Sequence, residues 1–305
     1  MSITIKRLTP TIGAEVSGID LRNPIAPEDA AALRAAWQKH LVLILPGQDI
    51  APEQHIAFAR VMGQVDSDSA ISVFGHPKYP EIFLLTNEMK DGKPSDTRDV
   101  GWQWHVDLTY TLRPSAGAVL HALEIPETGG DTMFANMEAA FAALSPAYQQ
   151  MLRGLEAVHD ISHGQWWQKR NPAVVQDNSK TVRDFDARTP PVVQPMVRKH
   201  PDTGRESILV GQAVVDHIHG MTREESNPII DYLTGLATRP EFVYRHRWTR
   251  GDLLIWDNRC TMHKVVHDHN EAVAPGTKGQ MRRMHRVTLQ GAPSGRLLHA
   301  VDKAA

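Results

Sequence analysis

His105 and Asp107, two residues apart, and His263 far downstream are the side chains of this sequence best suited to holding a metal that does chemistry. Two imidazoles and one carboxylate suit a non-haem Fe(II) ion and leave it open positions for oxygen and a second ligand. On an extended strand, residues at i and i+2 leave the same face, so one ion can reach both. His263 ends the run Trp256-Asp257-Asn258-Arg259-Cys260-Thr261-Met262-His263 and must arrive from another strand. A lone His-x-Asp is common by chance, and its ordinary reading is a hydrogen-bonded histidine beside a turn-capping aspartate. Here it lies among Trp102, Trp104 and Tyr110, at a strand-to-loop transition.

A second feature is the strand Met281 to Gln290. Alternation puts Arg282, Met284, Arg286 and Thr288 on one face and Arg283, His285 and Val287 on the other. If the first face is interior, two arginines require an anion, because buried charge needs a partner. The guanidinium fork matches a carboxylate. Pattern alone leaves both faces open, since Arg283 and His285 are polar too.

In chain order, His105-Val106-Asp107, Gly129-Gly130-Asp131-Thr132, Trp256 through His263 and Met284-His285-Arg286 resemble the TauD/TfdA family of Fe(II)- and 2-oxoglutarate-dependent dioxygenases. The resemblance runs from about Ile3 to Gly291. It implies a double-stranded β-helix (jelly-roll) core with Fe(II) held by His105, Asp107 and His263. Thr132 and Arg282 would grip the distal carboxylate of 2-oxoglutarate, which favours the Arg282/Arg286 face as interior. Arg286 would lie near the keto-acid end and within reach of an anionic group on the substrate, with Trp256 beside the iron. O2 would be the other co-substrate, and succinate and CO2 would be released.

The implied substrate is a small anionic organic molecule such as a sulfonate, alkyl sulfate or aryloxyalkanoate. His76-Pro77-Lys78-Tyr79 is similar to the sulfonate-binding His-Pro-x-Tyr run of the taurine enzyme, which nominates His76 and Tyr79 as substrate contacts. Two departures weigh against taurine itself. Gly101 stands where the taurine enzyme has a substrate-binding asparagine, and the loop from Lys264 to Met281 is longer than usual. The carboxylate of Asp107 favours hydroxylation over halogenation. The rival readings are a zinc-dependent hydrolase, which would not need Thr132 and Arg282 to seat a diacid, and a non-catalytic jelly-roll binding protein that keeps the three ligands for structure.

Short apolar runs and turn residues supply the elements that must position these groups. Strands are expected at Thr4 to Leu8, Ala14 to Ile19, Leu41 to Leu45, Glu81 to Thr86, Ala116 to Glu124, Asp131 to Phe134, near Val192, Ile208 to Gly211, Phe242 to Trp248 and Leu253 to Asp257. Helices are expected from Pro27 to His40, Pro52 to Met62, Ser145 to Leu155 and, behind a Thr222/Glu225 capping box, to about Thr238. His217 and His219 are expected in a turn, His267 and His269 in a polar loop as non-ligands, and His121 in an apolar strand as a core histidine. The polar segment His159 to Pro191, with Trp166 and Trp167, reads as a lid or mobile segment. The expected whole is mainly β with peripheral helices, a single domain over 1–305.

Composition narrows the class further. The chain has 305 residues, 41% hydrophobic and 22% charged, as in ordinary globular proteins. A formal charge of −2 gives no reason to expect nucleic acid or a membrane surface as partner. The single cysteine, Cys260, and the lack of an apolar core near Met1 point to a reducing cytoplasm. Family analogy suggests a homo-oligomer, dimer or tetramer.

Overall fold

Alternation along short, Gly- and Pro-bounded segments gives strands with one face for each of two cores. In the Leu253–Asp257 strand, Leu254 and Trp256 turn one way and Leu253 and Ile255 the other. Val42–Leu45, Gly117–Glu124 and Arg283–Leu289 divide likewise. These strands belong to a seven-stranded sheet ordered Thr4–Arg7, Ala14–Ser17, Val42–Leu45, Leu253–Asp257, Gly117–Glu124, Arg283–Leu289, Ile82–Thr86. Only Ala14–Ser17 and Val42–Leu45 pair in parallel. This computed structural model describes residues 3–67, 71, 75–89, 91–95, 97, 98, 100–161, 189–269 and 271–298.

A three-stranded sheet, Val243–His246, Thr132–Asn136, Thr261–Val265, contributes Phe134 to the same interior cluster as Leu120, Trp256 and Met284. Val215–Ile218, Glu156–His159, Val192–Pro195 and Arg296–Leu297 form a further sheet of four strands. Helices Pro27–His40 and Pro52–Met62 cover the outer face of the large sheet through Leu33, Trp37, Ile56 and Phe58. Met137–Ala142 and Arg223–Ala237 cover the outer side of the smaller one through Phe141, Ile230 and Leu233. The architecture is the mainly-β jelly roll with peripheral helices that the sequence leads one to expect.

Local chemistry sets the helix ends. Proline occupies the first turn of Pro27–His40, Pro52–Met62 and Pro146–Arg153. Ser145 Oγ accepts from Tyr148 N at 3.3 Å, and the Thr222/Glu225 box closes in both directions. Several expectations are corrected. Helix Met137–Ala142, capped by Asn136, and strand Glu156–His159 were not anticipated. Strand Glu206–Ile208 lies just before the expected position, where its register opposite Val197–Lys199 places it. His217 sits within strand Val215–Ile218 rather than a turn, since that strand pairs with Glu156–His159. Of the segment proposed as a lid, residues 162–188, including Trp166 and Trp167, lie outside the described residues.

Three histidines fill the layer between helix Pro52–Met62 and the large sheet. Buried His55 donates from Nε2 to Val119 O at 3.2 Å, and His121 from Nε2 to Gln48 O at 2.8 Å. Burial pushes His55 down to about 3 and His285 down to about 4. Such groups stay neutral in the fold but take a proton near 6.5 when unfolded. The unfolded state therefore binds more protons between those values, so stability is complete above about pH 6.5 and drains away toward pH 3–4. His55 and His285 each contribute up to about 1.4 kcal/mol per pH unit in that window. Denaturant titrations from pH 7 to 5 should show His55→Gln with a shallower loss of stability than the wild type; equal slopes would rule His55 out of the effect.

Candidate active site

His105 to Asp107 is not part of a long strand. It meets Thr261–Val265 through one antiparallel bridge, His105 N donating to His263 O at 3.0 Å and His263 N to His105 O at 2.8 Å. That pairing sets the two imidazoles side by side, with ring centres 4.2 Å apart. Asp107 reaches in between: Oδ1 is 3.8 Å from His105 Nε2, and Oδ2 is 3.8 Å from His263 Nε2. One donor atom from each residue lies within 4.8 Å of the others, all from poorly exposed groups.

The protonation pattern suits a cation. His105 Nδ1 is 2.8 Å from the carbonyl of Gln103, which can only accept, so Nδ1 carries the proton and Nε2 presents its lone pair. Burial lowers both His105 and His263 and keeps them neutral. Burial pushes Asp107 up, but Arg286, the two imidazoles and a hydrogen bond from Asn258 outweigh it and hold the carboxyl below its ordinary range. His263 is wedged by Trp256, with ring centres 4.8 Å apart, and stacks on Phe134.

Strand Arg283–Leu289 turns Met284 and Arg286 into the interior. Arg286 Nη1 donates to Asp107 Oδ1 at 2.9 Å, and its guanidinium lies 4.8 Å from the Phe83 ring centre. Arg283, by contrast, reaches Glu88 and Glu124, and His285 packs toward His76.

Arg282 is 7% exposed, and among the described residues its Nε and Nη2 find no hydrogen-bond partner. Burial alone pushes its guanidinium down to about 10. Thr132 Oγ1 accepts from Trp248 Nε1 at 2.9 Å. The segment 266–269 borders both places: Val266 N donates to Asp131 O at 2.7 Å, while His269, pushed to about 4 by burial and then by Arg282, packs on Gly130. A buried guanidinium with N–H groups left over is costly in a folded protein and is chemically suited to an anion.

A cavity opens onto His105 and Asp107, with about 700 Å³ of space not filled by protein atoms, part of it continuous with solvent. Its described walls are largely apolar, with Ile71, Phe83, Val100, Leu108, Ile161 and Val214, and Arg286 is the cation among the described lining residues. Gly101 has φ +82°, and a Cβ there would stand 3.2 Å from His105 Cε1 and 3.7 Å from His105 Nε2. Any side chain at 101 would therefore crowd the imidazole edge facing the site.

The structure does not bring His76 and Tyr79 to this cavity. Tyr79 OH donates to Glu53 on helix Pro52–Met62, and His76 Nδ1 accepts from Lys78 N at 3.1 Å and Tyr79 N at 3.3 Å. His76 packs edge-on against His285, which alternates with Arg286 and faces the opposite side of the sheet. A second donor group, His200, Asp257 and Cys260, serves another purpose. His200 Nδ1 accepts from two backbone N–H groups, so Nε2 donates to Asp257 Oδ2 at 3.0 Å and no lone pair is left for an ion. Burial raises the Cys260 thiol well above its usual range, leaving it a packed, unreactive group.

Sequence reasoning passed over Asn258, which holds Asp107, and Trp248, which holds Thr132. The first was within a quoted motif without a role. Nothing in the local pattern marked the second.

Residues 4–288 match the Taurine catabolism dioxygenase TauD, TfdA family. The chain belongs to this family. It is an oxidoreductase of the 2-oxoglutarate-dependent dioxygenase type. It is 34% identical over 274 residues to the alpha-ketoglutarate-dependent 2,4-dichlorophenoxyacetate dioxygenase of Cupriavidus pinatubonensis, covering 87% of this chain and 92% of that one. It is 30% identical to an alkylsulfatase of Acinetobacter baylyi, over 95% of this chain and 85% of that one. The crystal structure of AAD-2 with Mn(II) and N-oxalylglycine superposes with a TM-score of 0.78 at 31% identity, covering 96% of this chain and 99% of that one. No described helix is long and apolar enough to cross a membrane.

Proposed function

We propose that His105, Asp107 and His263 hold Fe(II), that Arg282 and Thr132 seat the distal carboxylate of 2-oxoglutarate, and that the enzyme hydroxylates a small carboxylate or sulfate ester with an apolar body. The observations that carry this reading are the meeting of the two imidazoles and the carboxylate within 4.8 Å of one another and a buried Arg282 guanidinium whose Nε and Nη2 have no partner among the described residues. A zinc-hydrolase reading accounts for the first feature and leaves the second without an anion.

When bound, Fe(II) with 2-oxoglutarate and O2 supplies oxidative decarboxylation, to succinate and CO2, coupled to hydroxylation of a C–H bond. The chain does the rest by position and charge. His105 and His263 stay neutral and present nitrogen lone pairs. Arg286, bonded to Asp107 through Nη1, still has an Nε without a partner among the described residues and can meet an anionic head group. Phe83, Val100, Leu108 and Ile161 would enclose the apolar part and exclude water from the reacting carbon.

Among the anions open to the family, the walls favour an aryloxyalkanoate. Gly101 offers no side-chain amide to bind an amine, and the described lining pairs one arginine with aromatic and aliphatic surface. The 2,4-dichlorophenoxyacetate dioxygenase and the alkylsulfatase named above act on substrates of that general make-up. The single, buried cysteine supports a reducing compartment as the place of work.

A succinate-release screen with Fe(II), ascorbate and 2-oxoglutarate tests the assignment. Aryloxyacetates and aryloxypropionates should stimulate succinate formation and release the corresponding phenol, with medium-chain alkyl sulfates weaker and taurine at background. Best turnover of taurine would reject the substrate assignment.

A further inference from the structure

We propose that Asn258 is a positioning residue for the metal centre, its carboxamide fixing Asp107 and Trp256, and through Trp256 His263, in one hydrogen-bonded unit. This rests on His105, Asp107 and His263 being the metal donors.

The carboxamide of Asn258 is fully buried and uses every bond it can make. Its Oδ1 accepts from Trp256 Nε1 at 3.0 Å and, more weakly, from Asp107 N at 3.5 Å. Its Nδ2 donates to Asp107 Oδ2 at 3.1 Å and to Ser115 Oγ at 3.2 Å. The orientation is chemically determined. An indole N–H can only donate, so the atom facing Trp256 is the oxygen, and the atom facing Asp107 is the N–H₂.

The turn around Asn258 does not need that side chain. Asn258 N donates to Ala116 O at 3.0 Å, and its carbonyl accepts from Arg198 Nη2 at 2.7 Å. Beside it, Asp257 is clamped by Arg259 and His200. The backbone is thus held by its own partners, while the side chain is spent on Asp107, Trp256 and Ser115.

The two carboxylate oxygens of Asp107 are shared between two keepers. Oδ1 takes Arg286, and Oδ2 takes Asn258. If Arg286 turns toward an arriving anion, Asn258 is the side-chain hydrogen bond that stays on Asp107. The same amide holds the indole of Trp256, whose ring is 4.8 Å from that of His263. One buried group therefore sets the orientation of a carboxylate donor directly and of an imidazole donor through a packed ring. Outer partners of this kind typically set metal affinity 10- to 100-fold.

Co(II) titration of the metal-free full chain, followed by its visible bands, provides the test. Asn258→Ala should bind Co(II) about 10- to 100-fold more weakly than wild type. Its KM for 2-oxoglutarate at saturating Fe(II) should stay within about 2-fold, because Arg282 and Thr132 are untouched; general loosening of the fold would move both constants. Trp256→Phe keeps the ring on His263 and removes only the N–H, so it should weaken Co(II) binding by several-fold. Wild-type Co(II) affinity in a folded Asn258→Ala protein would overturn the proposal. Should that variant not fold, wild-type affinity in Trp256→Phe would overturn it equally. Failure of the wild type itself to take up Co(II) would instead reject the metal site on which the proposal stands.

Discussion

Asp107→Ala is expected to abolish metal binding and turnover, and also to destabilise the metal-free protein. The first effect is the loss of a donor: the fall in affinity should exceed the roughly 100-fold upper end for losing an outer partner. The second comes from the residue left behind. Arg286 is buried and donates to Asp107 Oδ1 at 2.9 Å, so truncation leaves its charge without a counter-ion. Breaking a buried pair from one side costs about 3–5 kcal/mol, a fall in Tm on the order of 10 °C for a chain of this length. The double variant Asp107→Ala/Arg286→Met should recover most of that stability and none of the activity. Thermal melts in EDTA and equilibrium dialysis against Mn(II) read the two effects separately. Wild-type Mn(II) binding by Asp107→Ala would remove Asp107 from the donor set, and an unchanged Tm would show that the Arg286 pair contributes nothing net.

That coupling also shows where sequence reasoning succeeds and where it ends. The i, i+2 spacing of His105 and Asp107 was legible because an extended backbone puts both side chains on one side. Yet the segment forms one bridge to His263 rather than a strand, and Leu108 follows directly at φ +58°. His263 was legible by residue type; its pairing with His105 is a long-range contact that no local pattern encodes. Alternation along Arg283–Leu289 gave two faces without ranking them, since both carry polar groups. The structure ranks them by what each face meets: Arg283 finds Glu88 and Glu124 at the rim, whereas Arg286 finds Asp107 inside. His76 and Tyr79 were nominated by a short local run, and a run carries no information about which side of a sheet it lies on. The helix Met137–Ala142 was missed because no Gly or Pro separates it from the preceding strand, although its Asn136 cap was there to be read. Asn258 escaped notice because its role exists only in three dimensions, between Trp256, Ser115 and Asp107.

Arg282→Met should separate function from stability in the opposite sense to Asp107→Ala. The wild-type guanidinium is buried, pushed down to about 10 by desolvation, and has Nε and Nη2 unpartnered among the described residues. In the ligand-free protein it is therefore a liability, and methionine keeps the stem volume while removing the charge. The Tm of the ligand-free variant should equal or exceed that of the wild type. Binding of the diacid should suffer heavily: a charged hydrogen bond is worth about 1.5–3 kcal/mol, and losing two of them raises KM for 2-oxoglutarate about 100-fold or more. Metal affinity should be unchanged, because His105, Asp107 and His263 keep their partners. Thermal shift with redox-inert Mn(II) displays all three outcomes at once. Saturation at 100 times Kd stabilises a folded protein by about 2.7 kcal/mol, so 2-oxoglutarate should raise the wild-type Tm measurably and leave Arg282→Met where Mn(II) alone put it. A variant that still responds to 2-oxoglutarate at wild-type concentrations would show that the diacid sits elsewhere, and a variant that melts well below wild type without ligand would show that Arg282 already has a counter-charge in the fold.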